Sequence, residues 1–282
     1  DSWIHTDILI HEGKIEKVGN VTEECKQVID AEGKIVSPGF IDIHSHEDEF
    51  VGNKEDDFFT AGRGLLMGVT TEILGNCGDN YNPIETLVER VERDGAPINL
   101  MTFVGQNYLR ELAGADDRYK AATKEQLDKM KIALSGLRKY QPVGISCGFE
   151  YAPGVTTEET IELTKALEEE GYLIAVHFRQ DGPQAPDSTR ELIEISKATG
   201  YGIEMSHIGS CSAVGYMKET LDIIKDARES GVDISADCYP YCAFCTGIGT
   251  AVFDDGCFDR WGKTYSDILV LDGLYVNQRC TK

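Results

Sequence analysis

Three glycines at positions 171, 200 and 231, in Glu170-Gly171-Tyr172, Thr199-Gly200-Tyr201 and Ser230-Gly231-Val232, each separate an amphipathic stretch from an apolar run. A glycine in that place ends a helix and lets the next strand begin. Their spacing, about 30 residues, is the length of one helix-plus-strand unit. Repeated units of this kind predict a parallel α/β fold from residue 37 onward. The apolar runs place strands at roughly 35–44, 69–77, 98–105, 142–149, 172–177, 202–207 and 232–238. Helix starts are marked by Pro83 and by Thr123, Thr156 and Ser188, each three residues before Gln126, Glu159 and Glu191 in a capping-box pattern. Residues 1–36 differ. Alternating segments at Asp7–Ile10 and Lys14–Val18 flank the turn His11-Glu12-Gly13, with a second turn at Glu32-Gly33, and predict a small antiparallel element.

Ligand-type side chains fall at the ends of these strands. His44 and His46 close the run Pro38-Gly39-Phe40-Ile41-Asp42-Ile43-His44-Ser45-His46, and strand alternation would turn both rings the same way. Cys77 follows Ile73-Leu74-Gly75-Asn76, His177 follows Ile174-Ala175-Val176, and His207 follows Met205-Ser206. Taken singly, each has a plain structural reading: a polar residue hydrogen-bonded at a strand end, or a buried thiol packed as a small hydrophobe. Together they are the nitrogen and thiolate donors that zinc binds best. A doubly wound sheet would need special arrangement to gather them. In a (β/α)8 TIM-type barrel every strand opens its C-terminal end on one face, so ligands from strands 1, 2, 5 and 6 converge, and this fold is expected. Strands 1–7 are accounted for. After Tyr241 one further strand-like run remains, Ser266–Leu271, so strand 8 is expected to be missing, as in part of a longer protein.

Bulk properties exclude several classes. The chain has 282 residues with 41% hydrophobic composition, enough for a large core. Its formal charge of −22 argues against nucleic acid or an anionic membrane as partner. No apolar run reaches the ~18 residues of a membrane span, and Asp1-Ser2-Trp3-Ile4-His5 carries no signal-peptide pattern. Nine cysteines scattered through apolar segments read as reduced thiols of a cytoplasmic protein. The oligomeric state is not set by the sequence.

The segment Pro38–His46 resembles the strand-1 signature of the amidohydrolase superfamily, metal-dependent hydrolases on a (β/α)8 barrel beside a small β-sandwich. Gly75-Asn76-Cys77-Gly78, Gly144-Ile145-Ser146 through Tyr151-Ala152-Pro153-Gly154, Val176-His177-Phe178-Arg179, Ser206-His207 and Asp237-Cys238-Tyr239-Pro240-Tyr241 resemble the N-acyl-D-amino-acid deacylase (D-aminoacylase) branch. The likeness spans about residues 7–250. It implies that Cys77, His177 and His207 hold a tight zinc, that His44 and His46 hold a second, weaker metal position, and that residues 1–36 belong to the sandwich and 37–282 to the barrel. It also implies zinc-dependent hydrolysis of N-acyl-D-amino acids to a carboxylate and a D-amino acid, by water that zinc activates near pH 7. The branch takes its general base from an Asp at the end of strand 8, which this chain does not reach, so the chain by itself is expected to be inactive unless Asp181 or Asp237 substitutes. Some members carry a substrate-binding Lys two residues after the Ser-His pair, where Gly209 stands here.

Secondary candidates have open alternatives. Glu150 ends strand 4, where many amidohydrolases carry a metal-bridging lysine that this chain lacks between Pro142 and Tyr151; it is a possible metal contact. Arg179 at the barrel mouth is a candidate for the substrate carboxylate or a structural ion pair, and Tyr239 and Tyr241 are candidates for substrate hydrogen bonds or packing. Cys238, Cys242 and Cys245 lack a fourth ligand for a separate zinc site. Glu168-Glu169-Glu170 reads as a solvated helix end. Two rival functions remain: a dihydroorotase-like or hydantoinase-like cyclic-amide hydrolase, and an inert metal-binding fragment.

Overall fold

The two alternating segments near the N-terminus pair as an antiparallel hairpin, β1 (Asp7–His11) with β2 (Lys14–Gly19), in a computed structural model that describes residues 4–47, 59–81, 83–168, 171–212 and 215–282. Glu12 and Gly13 both take positive φ, 49° and 74°, the twist that a two-residue hairpin turn requires. The hairpin lies in a unit spanning Asp1–Pro38, distinct by its contacts from a second unit, Gly39–Lys282.

In the second unit all strand pairs are parallel. One sheet has the order β3 (Phe40–Asp42), β4 (Val69–Leu74), β5 (Asn99–Thr102), and the other the order β6 (Val104–Gly105), β7 (Gly144–Gly148), β8 (Leu173–His177), β9 (Gly202–Met205), β10 (Ile234–Ala236). The two are joined at Phe103, which interrupts a single predicted strand. Phe103 N–H donates to the Leu74 carbonyl at 3.0 Å, and Val143 N–H donates to the Thr102 carbonyl at 2.9 Å. Strand order thus follows chain order from β3 to β10.

Helices alternate with the strands: α1 (Phe59–Leu66), α2 (Ile84–Asp94), α3 (Gln106–Leu112), α4 (Lys124–Leu137), α5 (Thr157–Thr164), α6 (Ala185–Thr199), the short α7 (Ile208–Cys211), α8 (Met217–Glu229) and α9 (Cys257–Trp261). Pro83 and Thr123 stand at the N-caps of α2 and α4, the latter in a full capping box with Gln126, and the Thr156 hydroxyl accepts from Glu159 N–H at the start of α5. The Ser188 expectation fails. α6 begins three residues earlier with Pro186 in its first turn, Ser188 bonds Gln180, and Glu191 pairs with Arg179 and Thr157. Gly200, at φ 77° and bonded back to the Ser196 carbonyl, ends α6 in the left-handed conformation expected of such a cap.

Register explains the core. Ile145, Ile174, Ile203 and Ile234 are adjacent partners on β7, β8, β9 and β10 and form one buried row, clustered with Leu134, Leu163, Leu192 and Ile224 of α4, α5, α6 and α8. Each such side chain stabilises the fold by roughly 1.5–3 kcal/mol. The next row, Ser146, Ala175 and Glu204, points to the opposite face. His177, two residues on from Ala175, shares that face. β7 and β9 are buried throughout, the mark of parallel strands covered on both sides.

β3, β4, β7, β9 and β10 stop short of their expected C-terminal ends, while β6 and β8 reach theirs. The run Ser266–Leu271 forms no sheet strand, only an isolated bridge between Leu269 and Arg279. Among the described residues no further strand pairs with β3 or β10, and no helix is long and apolar enough to cross a membrane. Glu169 and Glu170 lie outside the described residues; Glu168 is exposed and pairs with Arg138.

Candidate metal centre

Each candidate ligand but one sits in a turn just past its strand. β3 stops at Asp42, whose carboxylate accepts from His44 N–H at 3.1 Å and bends the chain; Ser45 N–H then bonds the Ile73 carbonyl at 3.1 Å. His44 and His46 therefore lie beyond the strand instead of on one face of it, yet their ring centroids are 5.2 Å apart. After β4 the chain turns at Gly75-Asn76-Cys77-Gly78. The buried Asn76 amide donates to the carbonyls of Ile73 at 2.8 Å and Ser45 at 3.3 Å. Ser146 of β7 clamps the same turn, its hydroxyl accepting from Gly78 N–H at 3.0 Å and donating to the Gly75 carbonyl at 2.5 Å. A Cβ on Gly78 would stand 2.7 Å from the Gly148 nitrogen, so only glycine lets the turn lie against β7. His177 is the exception, the last residue of β8.

Cys77 and His207 are held at φ 56° and 37°. Left-handed backbone is uncommon for residues other than glycine and persists where the surroundings over-determine it, often at functional sites. The turns replace the strand ends expected from the sequence, and they aim these two side chains into a common space.

There the ligand atoms of Cys77, His177 and His207 lie within 4.8 Å of one another, as do those of His44, His46 and Cys77. Cys77 Sγ is 3.5 Å from both His44 Nε2 and His207 Nε2. His177 Nε2 is 2.9 Å from Glu150 Oε2, while its Nδ1 is buried without a partner. A buried ring nitrogen left unpaired is costly. Burial, with His44 nearby, pushes the His177 pKa down to about 3. Burial and the rings of His177 and His44 push His207 well below the usual range. Both imidazoles are thus neutral, with lone pairs to offer. Burial, then the charges of Asp237, Asp79 and Glu204, push the Cys77 thiol well up. A divalent cation at this point would reverse that preference and take the orphaned His177 nitrogen. One thiolate and two imidazoles are a zinc-type donor set, so the residues fit the metal.

Carboxylates and hydroxyls stand behind the rings. Asp237, just past β10, accepts from His207 N–H at 2.6 Å through Oδ1 and lies 2.9 Å from His44 Nδ1 through Oδ2. Glu204 adjoins it, and His44, Glu204 and Asp237 form a third close group. Burial and Asp237 push Glu204 up to about 9. Burial also opposes the Asp237 charge, but His44 and Glu204 outweigh it and hold that carboxyl low. The pair therefore shares one proton, on Glu204. Ser210 Oγ lies 3.1 Å from His207 Nδ1 and donates to the His207 carbonyl at 3.0 Å, and Cys211 Sγ lies 3.2 Å from the same nitrogen.

The remaining sequence candidates are placed as follows. Glu150 touches His177 and falls in none of the metal-competent groups. The Arg179 guanidinium is engaged by Glu191 at 2.7 Å and the Pro153 carbonyl at 3.3 Å and stacks over Phe149, the contacts of a structural ion pair. Asp181 is engaged by Trp261 and Arg260. Tyr239 and Tyr241 stack on each other with centroids 6.1 Å apart; Tyr241 is exposed. Cys238, Cys242 and Cys245 are exposed and belong to no metal-competent group among the described residues. A Cβ on Gly209 would lie 2.8 Å from Cys238 Sγ, so that thiol fills the space beside the residue two past His207.

No known family profile matches the chain. D-aminoacylase of Alcaligenes xylosoxydans xylosoxydans is 29% identical over 85% of the chain and 54% of its own length. The solved structure of N-acyl-D-glutamate deacylase from Bordetella bronchiseptica, complexed with zinc and a phosphonate inhibitor, superposes with a TM-score of 0.72 at 28% identity, over 84% of this chain and 54% of that one. Across most of its length the chain is similar to D-aminoacylase and to N-acyl-D-glutamate deacylase. Dihydroorotase of Staphylococcus epidermidis is 23% identical over 84% of the chain and 57% of its own length. The chain spans about half the length of the curated relatives it matches.

Proposed function

We propose that this chain carries the zinc centre of an enzyme that hydrolyses N-acyl-D-amino acids to a carboxylate and a D-amino acid. The observation that carries the proposal is the convergence of Cys77, His177 and His207 within 4.8 Å, in a chain related to D-aminoacylases. In this reading residues 37–282 form seven strands of a (β/α)8 barrel and residues 1–36 form part of the small β-sandwich. Cys77, His177 and His207 hold the tight zinc, with His44 and His46 at a second, weaker position. Bound zinc would supply Lewis acidity toward water and the scissile carbonyl.

The chain's own residues set the geometry around that ion. Glu150 holds the His177 ring by its Nε2, and Asp237 holds both His44 and the His207 backbone. In this reading Asp237 keeps His44 and the His207 turn in place, while Asp181 is engaged by Trp261 and Arg260. Tyr239, half-buried beside Ser210, is the better placed of the two tyrosines to meet substrate. The nine cysteines are free, in keeping with a reducing, cytoplasmic setting. A cyclic-amide hydrolase would share the histidine pair, but β7 (Gly144–Gly148) offers no bridging lysine.

The test is hydrolysis of matched N-acetyl-D- and N-acetyl-L-amino acids by the zinc-loaded protein in its full natural length. Strong preference for the D series is expected, because the wrong enantiomer leaves a carboxylate unpaired in the site. Equal turnover of both series, or turnover of hydantoins alone, sinks the proposal.

A further inference from the structure

The chain beyond β10 returns to the back of the His177 ring from two sides. Tyr151 packs its ring on His177, centroids 4.6 Å apart, and its hydroxyl lies 3.3 Å from Thr246 Oγ1. On the other side α9 presses so closely on the loop after β8 that a Cβ on Gly182 would stand 2.9 Å from the Arg260 carbonyl. From α9 the Arg260 guanidinium reaches Glu150 Oε1 at 3.4 Å through Nη2 and Asp181 Oδ1 at 3.5 Å through Nε, and the neighbouring Trp261 indole N–H donates to Asp181 Oδ2. Glu150 is 7% exposed in its side chain and Arg260 22%. Both oxygens of Glu150 are thereby used, one on Arg260 and one on His177 Nε2 at 2.9 Å.

We propose that Arg260 is a positioning residue for His177: by pinning the Glu150 carboxylate it fixes His177 as the Nε2–H tautomer, which leaves Nδ1 to point its lone pair at the metal. The inference rests on the zinc reading of the site. A ring in a buried site can turn about its Cβ–Cγ bond unless its second nitrogen is tied, and the partner that ties it sets both tautomer and direction. Glu150 is that partner. A carboxylate held by one bond alone can rotate away; Arg260, itself located by Asp181 and Trp261, removes that freedom. The relay runs Trp261 to Asp181 to Arg260 to Glu150 to His177, and joins residues more than 100 positions apart that no local pattern links.

The experiment is a Co2+ titration of the metal-free protein, read by the thiolate-to-cobalt charge-transfer band of Cys77 and by the d–d bands that report ligand geometry. The wild-type protein should show both. Arg260→Met should weaken Co2+ binding by about 10–100-fold and change the d–d bands while keeping the thiolate band, since Cys77 still binds. Arg260→Lys, which can still reach one carboxylate, should recover part of the affinity. Glu150→Gln, which keeps the shape and removes the charge, should act in the same direction as Arg260→Met and serves in its place if that variant does not fold. Variants that are less stable yet bind Co2+ with wild-type affinity and spectrum would mean that Arg260 only packs, and would overturn the proposal. A wild-type protein without the charge-transfer band would instead overturn the zinc reading, and this inference with it.

Discussion

His44 Nδ1 lies 2.9 Å from Asp237 Oδ2, although these residues follow β3 and β10, the outermost strands of the joined parallel sheets. Neighbouring strands are about 4.8 Å apart, so in a flat sheet with six strand-to-strand steps the two side chains would be separated by about 29 Å. The contact therefore requires the C-terminal ends of the sheet to roll toward one another. That same rolling gathers ligands from β4, β8 and β9 between them.

Replacing the carboxylate tests this link. Asp237→Asn keeps the size of the side chain but removes the charge that orients His44 and the His207 turn. Zinc affinity at the second position should fall by about 10–100-fold, measured by titration with a competing chelator. An unchanged second affinity would mean that His44 is oriented by something else.

The Glu204–Asp237 pair makes the metal-free protein sensitive to alkali. Glu204 has its pKa raised from 4.5 to about 9, so the folded protein holds a proton that the unfolded chain releases. A raised acid contributes stability that is present below its unfolded pKa and is lost as pH rises toward its folded pKa. The urea midpoint of the metal-free protein should therefore fall between about pH 7 and about pH 9, above the range in which the buried histidines take up protons on unfolding, and Glu204→Gln, neutral at every pH, should flatten the dependence there. A midpoint that rises with pH in both proteins would contradict the assignment of the proton.

Away from the site, Arg110 of α3 and Glu159 of α5 form an ion pair in which each side chain is 4% exposed, with both Glu159 oxygens 2.8 Å from Arg110 Nη1. Glu159 also accepts from Gln106 and from Ala122 N–H, and Arg110 donates to the carbonyls of Asp117 and Lys120. Arg110→Ala leaves a buried carboxylate without its cation and should cost about 3–5 kcal/mol in chemical denaturation. A loss below about 1 kcal/mol would show that the other donors to Glu159 suffice.

Local signals carried much of this into the sequence. Gly200 and the Thr123–Gln126 box are legible because a helix end or start is decided within a few residues. His177 at the end of β8 was legible for the same reason. The left-handed turns at Cys77 and His207 were not, because that backbone is uncommon for any residue but glycine and is set here by distant partners; Ser146 and Asp237 hold it there. Arg260 and Trp261 carry no such signal, because an arginine-tryptophan pair closing a helix of 5 residues has no periodicity, and its meaning lies wholly in Glu150 and Asp181. For Arg179 the sequence left a substrate contact and a structural ion pair open, because its partner Glu191, one of the residues of the failed Ser188 cap, lies beyond any local pattern.

The central claim is that Cys77 anchors the metal, and zinc content measured by elemental analysis tests it most directly. Wild-type protein should retain tight zinc through dialysis. Cys77→Ala should lose it, with a fall in affinity exceeding the ~100-fold that outer contacts command, while His44→Ala should keep it and lose only the weaker position. A Cys77→Ala protein that retains a full equivalent of zinc would contradict the account.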